Sequence, residues 1–454
     1  MKRKISYALT VFSVLLITSI TSCKKDHTET ELPSITVANS NQVQDFGTIV
    51  VGQISASKSM QINGAHLTGD VTITASENYS LSLDNTTFTS ILNLNAATAA
   101  TGKIFYVRFS PTVLGVKPGT VKFESTDANT ITVALTGTGG IQQTYSTFAS
   151  EQLAFGTGLS QSASHDYTLA SDVSLVNKIN MYVKLRCPGG GCGAWDVYAH
   201  IQIKDPASGE WYELGRYITP YGVDNHTMAR GFEIDVTDFK SLLQGTVTLR
   251  AFTEVWTTQG WLLSVDFDYL QGTPDYPYYA IAKVIQFNDN SLGGVPYGED
   301  ASAFDVNKTV TIPTNSEATS LRTVISGWGE ATPNDPDGRP CAEWCFRTHH
   351  ININGANTFS HVMSPLGCAS NAVPAQAGNW QPNRAGWCPG MAVPVREDQM
   401  ATNMAGQSFT FEYVFQPWVN DLSAGNANPH AYNAISTYVV VKSSTPIVKP
   451  TVTN

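Results

Sequence analysis

Along most of the chain, hydrophobic and polar positions alternate in short runs instead of recurring at helical spacing. Runs rich in Val, Ile, Thr, Tyr and Phe are broken by Gly, Pro, Asn and Asp. That pattern predicts an all-β protein of sandwich or barrel type. The single helical candidate is Val236–Leu243, which Thr237 or Asp238 would cap. In the run Trp195–Ile203, alternation places Val197, Ala199, Ile201 and Ile203 on one face, the expected core. Asp196, Tyr198, His200 and Gln202 fall on the other. In Val247–Trp256, Val247, Leu249, Ala251 and Val255 share the core face, and Phe252, Glu254 and Trp256 the opposite one.

Turn signals divide the chain. A first unit, 24–140, carries the phrases Asp45–Gln53, Val107–Phe123 and Ile131–Gly140. These resemble immunoglobulin-like modules of bacterial surface and secreted proteins, and the unit reads as a β-sandwich spacer or binding accessory. Its Gly-Thr-Gly-Gly exit reads as a linker. Composition then changes: tryptophans and the remaining cysteines appear. A second break near Gly272–Pro277 separates the expected domains 144–275 and 279–454. The tail from Ser444, with Pro446 and Pro450, is expected to be poorly ordered unless it docks.

The first residues change the picture by fixing a compartment. Lys2, Arg3 and Lys4 precede an apolar run, Ile5–Ile17, and then Ile20-Thr21-Ser22-Cys23. Residues 1–23 read as a secretory signal, too short for a spanning helix. The end resembles a lipobox, in which Cys23 is lipidated; the other reading is an ordinary signal that is cut away. Either way the chain is expected to be exported, free or as an outer-membrane lipoprotein. Of the seven cysteines, Cys23 aside, an even number falls in close pairs. They are Cys187 with Cys192, Cys341 with Cys345 and Cys368 with Cys388. Four extended residues span roughly 13 Å and a disulfide needs Cα atoms within about 7 Å, so the short pairs, if bridged, close tight loops. Metal binding is the rival, because His349 and His350 follow Cys345.

Net charge is −10 and only 14% of residues are charged. A nucleic-acid partner would need a basic face; a neutral ligand suits this composition better. The chemistry then rests on acids. Asp196 opens a strand after a cysteine loop. Glu254 stands between Phe252 and Trp256, as in a carbohydrate cleft where rings cover sugar faces and an acid binds hydroxyls. Glu343 sits in Cys-Ala-Glu-Trp-Cys, where a bridge would hold it before substrate arrives. Each has a structural alternative: a turn aspartate, an inter-domain face, a surface glutamate on a staple. Gly-x-Ser-x-Gly and His-Glu-x-x-His are absent from the sequence. The residues point to a hydrolase using carboxylates and water. They leave a glycosidic and an amide bond both open, and a non-catalytic glycan-binding lipoprotein as the reading from another class.

Longer phrases decide more. Gly158–Ala163, Glu233–Leu243, Ser264–Tyr269, Val295–Gly298, Leu321–Gly329, Cys341–His349 and Arg384–Pro394 together resemble the bacterial peptide-N-glycosidase F family, in order, from Thr144 to Asn454. With its first module, the chain resembles the longer, second type of that enzyme. The resemblance implies two side-by-side eight-stranded jelly-roll domains with a site at their interface. It implies an amidase that splits the bond between an asparagine side chain and the core GlcNAc of N-glycans, giving a glycosylamine and an aspartate. It implies no metal or cofactor, N-glycoproteins and N-glycopeptides as partners, and a monomer. By motif, Asp196 matches the principal catalytic acid, Glu343 a second acid acting through a water, and Glu254 a sugar contact. Trp195, Trp256, Trp328, Arg384 and Trp387 match residues around the sugar pocket, and the three cysteine pairs match the family's bridges. There is one departure. The shorter enzyme has acidic residues before this tryptophan and an arginine after the aspartate, where this chain has Gly193, Ala194 and Val197. Losing that arginine should raise the pKa of Asp196 and widen the pocket.

Overall fold

The computed structural model describes residues 31–287, 298–331, 334–371, 373–419 and 431–454. The expected signal segment, Cys23, and Val295–Tyr297 of the Val-Pro-Tyr-Gly phrase lie outside the described residues. Among the described residues the architecture is all-β, with separate apolar cores in the N-terminal module and in each of two following sandwiches. In the N-terminal module, Ser34–Val37, Lys58–Ala65, Lys103–Phe109 and Tyr79–Ser82 form one sheet. Gly119–Glu124, Val71–Ala75 and Ile91–Leu94 belong to the facing one. Alternation drives this packing: Met60, Ile62, Phe105, Val107, Val121 and Phe123 all point inward.

Gly-Thr-Gly-Gly is not a linker. It lies inside one strand, Ile131–Leu153, that pairs with Gln44–Val50 and Gly119–Glu124 of the module and then with Trp261–Gln271 of the first jelly-roll domain. The glycines answer a packing demand. A Cβ on Gly139 would stand 2.3 Å from the Val113 carbonyl oxygen, and one on Gly140 2.2 Å from that of Gln271. Close backbone approach, not freedom to bend, explains them.

The first jelly roll packs Phe232–Asp235, Val176–Arg186, Trp261–Gln271 and the end of Ile131–Leu153 against a sheet of Ser162–Thr168, Thr246–Thr253, Tyr198–Lys204 and Trp211–Ile218. Val236–Leu243 is not a helix: only Thr237–Phe239 forms a 3-10 turn. Its apolar spacing reflects burial of Val236, Phe239 and Leu243 in the core. No side chain caps the turn from Val236; Asp235, one residue earlier, accepts from the Thr237 amide at 2.9 Å. Asp238 turns away to Arg322, 3.3 Å off.

The second jelly roll pairs Tyr278–Gln286, Tyr432–Ser443, Ala318–Trp328 and Val395–Gln399 against Ala356–Val362, Thr348–Ile353, Ser408–Phe415, Val306–Thr311 and Thr451–Thr453. The tail therefore docks as an edge strand on Val306–Thr311, and Lys449 reaches Asp205 of the first jelly roll at 2.7 Å.

The strands Tyr198–Lys204, Trp211–Ile218, Ala318–Trp328 and Tyr432–Ser443 are buried almost throughout. Each has one face in its own core and the other against the neighbouring domain. So Tyr198, His200 and Gln202, which alternation set on a non-core face, are fully buried under the second jelly roll. A shared cluster of Tyr198, Ile218, Phe252, Val324, Trp328, Trp387, Val393 and Ala434 fills the junction. Met391–Ala392, from the second domain, even adds a short strand to the first domain's sheet beside Tyr217 and Ile218. At the centre, Arg216 holds Glu213 in a two-pronged bond, Nε to Oε1 at 2.9 Å and Nη2 to Oε2 at 2.8 Å. Its Nη1 crosses to Ser326 Oγ at 2.9 Å and the Ala434 carbonyl at 2.6 Å.

Breaking that pair from one side strands a charge. Glu213→Leu should lower the unfolding free energy by about 3–5 kcal/mol, read from urea melts. Adding Arg216→Met should restore part of the loss; no recovery in the double variant would mean the cost lies in packing instead.

Candidate active site

At one end of this junction, loops from both jelly rolls meet. Asp196 comes from the first, immediately before Tyr198–Lys204. The Cys187–Cys192 disulfide, with Cα atoms 4.4 Å apart, closes the loop ahead of it. The Val197 amide donates to Thr219 Oγ1 at 2.9 Å, and the Thr219 hydroxyl to the Trp195 carbonyl at 3.2 Å, so the backbone on both sides of Asp196 is held.

Glu343 comes from the second. The Cys341–Cys345 disulfide draws its Cα atoms to 4.8 Å. The Glu343 amide donates to the Gly329 carbonyl at 3.0 Å, and its carbonyl accepts from the Ala385 amide at 2.8 Å. The loop lies so close to the strand beneath that a Cβ on Gly327 would meet the Ala342 carbonyl oxygen at 2.2 Å. Because Cys345 is bridged, it offers no thiolate, and the metal reading of Cys345 with the histidines falls. His349 is buried instead, with Nδ1 2.7 Å from the Tyr413 hydroxyl.

Arg384 ties the two acids together. It sits in the loop closed by Cys368–Cys388 and is almost wholly buried. Nη2 stands 3.5 Å from Asp196 Oδ2, and Nε 3.6 Å from Glu343 Oε1. Its other hydrogens go to the Pro382 carbonyl at 2.8 Å, the Asn379 carbonyl at 2.7 Å and the Tyr221 hydroxyl at 3.1 Å. The guanidinium lies over the Trp344 ring, 4.5 Å from its centre. Asp196 Oδ2 and Arg384 Nε are both buried yet make no hydrogen bond. Buried polar atoms rarely stay so, and those that do need an explanation.

The acids share one electrostatic character. Burial pushes Asp196 up to about 6, against the lowering effect of the Tyr221 hydroxyl and Arg384. Burial, then the Asp196 charge, push Glu343 up to about 7, with Arg384 opposing. Burial alone takes Glu254 to about 7. The upward direction expected for Asp196 therefore holds, but the cause is desolvation: it keeps an arginine neighbour in Arg384.

Glu254 lies just past the end of Thr246–Thr253, its amide donating to the Tyr198 carbonyl at 2.9 Å. It does not join the Arg384 cluster directly. Tyr432 links them, since Glu254 and Glu343 both hold its hydroxyl well above the usual tyrosine range, after burial. On the face shared by Phe252, Glu254 and Trp256, exposure rises along the chain. Phe252 is in the junction, Glu254 is half-buried and Trp256 is 62% exposed.

Trp195 is also exposed, edge-on to Tyr221 at 6.2 Å. Trp256 packs on the exposed ring of Phe155 at 5.0 Å. Trp328 and Trp387, expected around a sugar pocket, are instead a buried stack 4.5 Å apart. Trp387 has no exposed surface, bonds the Gly327 carbonyl at 2.9 Å and lies under the Arg384 guanidinium, 5.6 Å from it. Sequence reading missed Tyr221, Tyr432 and Phe155. None lies beside an acid in the chain, and no periodic signal marks them. Among the described residues, no cluster of three or more His, Cys, Asp or Glu side chains could hold a metal.

A carboxyl whose pKa is raised by folding contributes stability that is present below its unfolded value and lost as pH rises through its folded one. For Glu343 that window runs from about 4.5 to about 7. Glu343→Gln should therefore stabilise the fold at pH 8, by roughly 2–3 kcal/mol at most, and leave it unchanged at pH 4. Thermal melts at both values check this; a lower melting temperature at pH 8 would contradict it.

Residues 196–269 match the family described as peptide-N-glycosidase F, N terminal, and residues 296–440 the one described as peptide-N-glycosidase F, C terminal. The chain is 52% identical over 309 residues to peptide-N(4)-(N-acetyl-beta-D-glucosaminyl)asparagine amidase F of Elizabethkingia miricola, a span of 68% of this chain and 86% of that one. A three-dimensional structure of PNGase F, a glycosylasparaginase from Flavobacterium meningosepticum, aligns with a TM-score of 0.65 at 51% identity, over 69% of this chain and 99% of that one. A structure of PNGF-II aligns over 87% of this chain and 81% of that one, with a TM-score of 0.52. At 13% identity that is a likeness of fold alone. In sequence the chain stands nearer to the former.

Proposed function

The chain belongs to the peptide-N-glycosidase F family, and on that premise we propose that it hydrolyses the amide bond between an asparagine side chain and the core GlcNAc of N-glycans. The observation that carries this reading is one buried arginine held between two acids from different domains. Amide hydrolysis needs a base for water, a positive group for charge growing on the carbonyl oxygen, and a proton for the departing nitrogen. Asp196, with a pKa of about 6, is ionised at neutral pH and accepts the N–H of the scissile amide, fixing its orientation. Glu343, at about 7, is close to balance with the medium, which suits proton transfer in both directions. It takes a proton from the attacking water as the C–O bond forms, and returns it to the nitrogen as the C–N bond breaks. The products are an aspartate on the polypeptide and a glycosylamine. Arg384 places positive charge beside both acids and offers its unbonded Nε–H to the site. Tyr221, bonded to Asp196 and Arg384, keeps the aspartate's lone pairs aligned. Trp195 and Trp256 present open aromatic faces for the sugar rings, with Glu254 accepting from hydroxyls.

Export suits this activity. Three disulfides fit an oxidising compartment, and N-glycoproteins and N-glycopeptides are the proposed substrates. Lipidation of Cys23 would hold the chain at a membrane; mass analysis of the mature N-terminus decides between that and free release.

Incubation with a denatured N-glycoprotein should release intact glycans and convert the modified asparagine to aspartate, read by peptide mass. One GlcNAc left on asparagine would mean a glycoside hydrolase, and no change a binding protein. Asp196→Asn and Glu343→Gln should each lower kcat by about 100-fold or more while the fold persists; near-normal turnover in either removes that residue from its role. In the wild-type chain, kcat/KM should fall as pH drops through about 7 to 6, because protonation fills the base. A flat profile across that range would count against carboxylate base catalysis.

A further inference from the structure

An asparagine-linked glycan has two arms, and the exposed tryptophans with Glu254 suit only the sugar. A cleft of about 460 Å³ adjoins the Glu343 loop, lined among others by Glu330, Arg339, Pro340, Trp344, Phe346 and Pro365. Its inner wall belongs to the site: Trp344 follows Glu343 in the bridged loop and stacks on the Arg384 guanidinium at 4.5 Å. Pro382, also in its lining, supplies the carbonyl that holds Arg384 Nη1 at 2.8 Å. Glu330 is near enough for its charge to act on Glu343. Trp195, Trp256 and Glu254 do not line it.

We propose that this cleft holds the polypeptide that flanks the glycosylated asparagine. The proposal rests on the amidase reading and adds the place where the second arm lies. Three features favour extended polypeptide over sugar. Proline and aromatic walls match the way grooves receive extended peptides, by packing on side chains and on the backbone between them. The Arg339 guanidinium is fixed over the Phe346 ring, 4.2 Å from its centre, and by ion pairs to Asp335 and Asp337. Nη1 faces those aspartates, and the other N–H groups of the fixed guanidinium can donate to main-chain carbonyls. Finally, the cleft begins at the Glu343 loop and is not lined by Trp195 or Trp256, so polypeptide lying in it leaves those two rings to the glycan.

The test compares a blocked glycotripeptide with a longer glycopeptide bearing the same glycan. The wild-type chain should show a lower KM for the longer one. Pro365→Trp fills the cleft from an exposed position and should raise KM for the longer substrate about tenfold, which is about 1.4 kcal/mol. Its turnover of the tripeptide should not change, and that also reports an intact fold. Arg339→Ala, which opens the cleft, should shrink the length preference in the same direction and serves if the tryptophan variant folds badly. A wild-type chain indifferent to peptide length, or variants that keep the full preference, would overturn the proposal. Release from neither substrate by the wild-type chain would sink the amidase reading, and this one with it.

Discussion

Everything at the site depends on two sandwiches staying locked face to face, and a buried ion pair governs that lock. Glu213 and Arg216 are both fully withdrawn from water. Removing two charges from solvent costs several kcal/mol each, and attraction between them offsets this only when their remaining bonding capacity is used. Here part of that capacity is met from the other domain, by Ser326, Ser436 and the Ala434 carbonyl. A second set repeats the logic at the edge: Arg322 with Asp238, and Lys442 with the same aspartate at 3.4 Å. Undocked domains would leave these groups short of partners. The consequence is chemical, because Asp196 rides on one domain while Glu343 and Arg384 ride on the other.

The lock is matched by local ties. Each site loop sits inside or next to a disulfide. Cys187–Cys192 precedes Asp196, Cys341–Cys345 encloses Glu343, and Cys368–Cys388 encloses Arg384. Reactive groups on loops need such supports, since a site loose by about 1 Å loses much of its effect. The three acids also show how one cause can serve different ends. Burial raises all three, but only Asp196 and Glu343 stand beside Arg384. Poising charged groups in this way weakens the fold at neutral pH, a familiar exchange of stability for activity.

Much of the fold was legible in the sequence, because alternation reports which side chains share a face. Val197, Ala199, Ile201 and Ile203, and Val247, Leu249, Ala251 and Val255, all pack in or against the first jelly-roll core. The family's phrases, spread over both domains, led to the site loops. Other readings failed where local pattern and tertiary demand diverge. Gly-Thr-Gly-Gly carries the composition of a linker, yet it is a strand squeezed by neighbouring backbone. Val236–Leu243 has the spacing of a helix, yet its apolar residues are anchors of a short turn.

What the sequence by itself determined is the strand character and the core face of runs such as Trp195–Ile203 and Val247–Trp256, both set by neighbours a few residues apart; the close spacing of the cysteines suggested bridges and left metal binding as the rival. What covers the opposite face is a different kind of fact. His200 and Gln202 read only as lying off the core face until another sheet covers them, and Trp328 and Trp387, matched to the surroundings of a sugar pocket, stack in the buried junction. Tyr221 and Phe155 reach Asp196 and Trp256 through long-range folding of the first jelly roll, and Tyr432 meets Glu254 only through docking. Burial, and with it the raised pKa of each acid, depends on which surfaces meet across the chain; only the tertiary structure decided that.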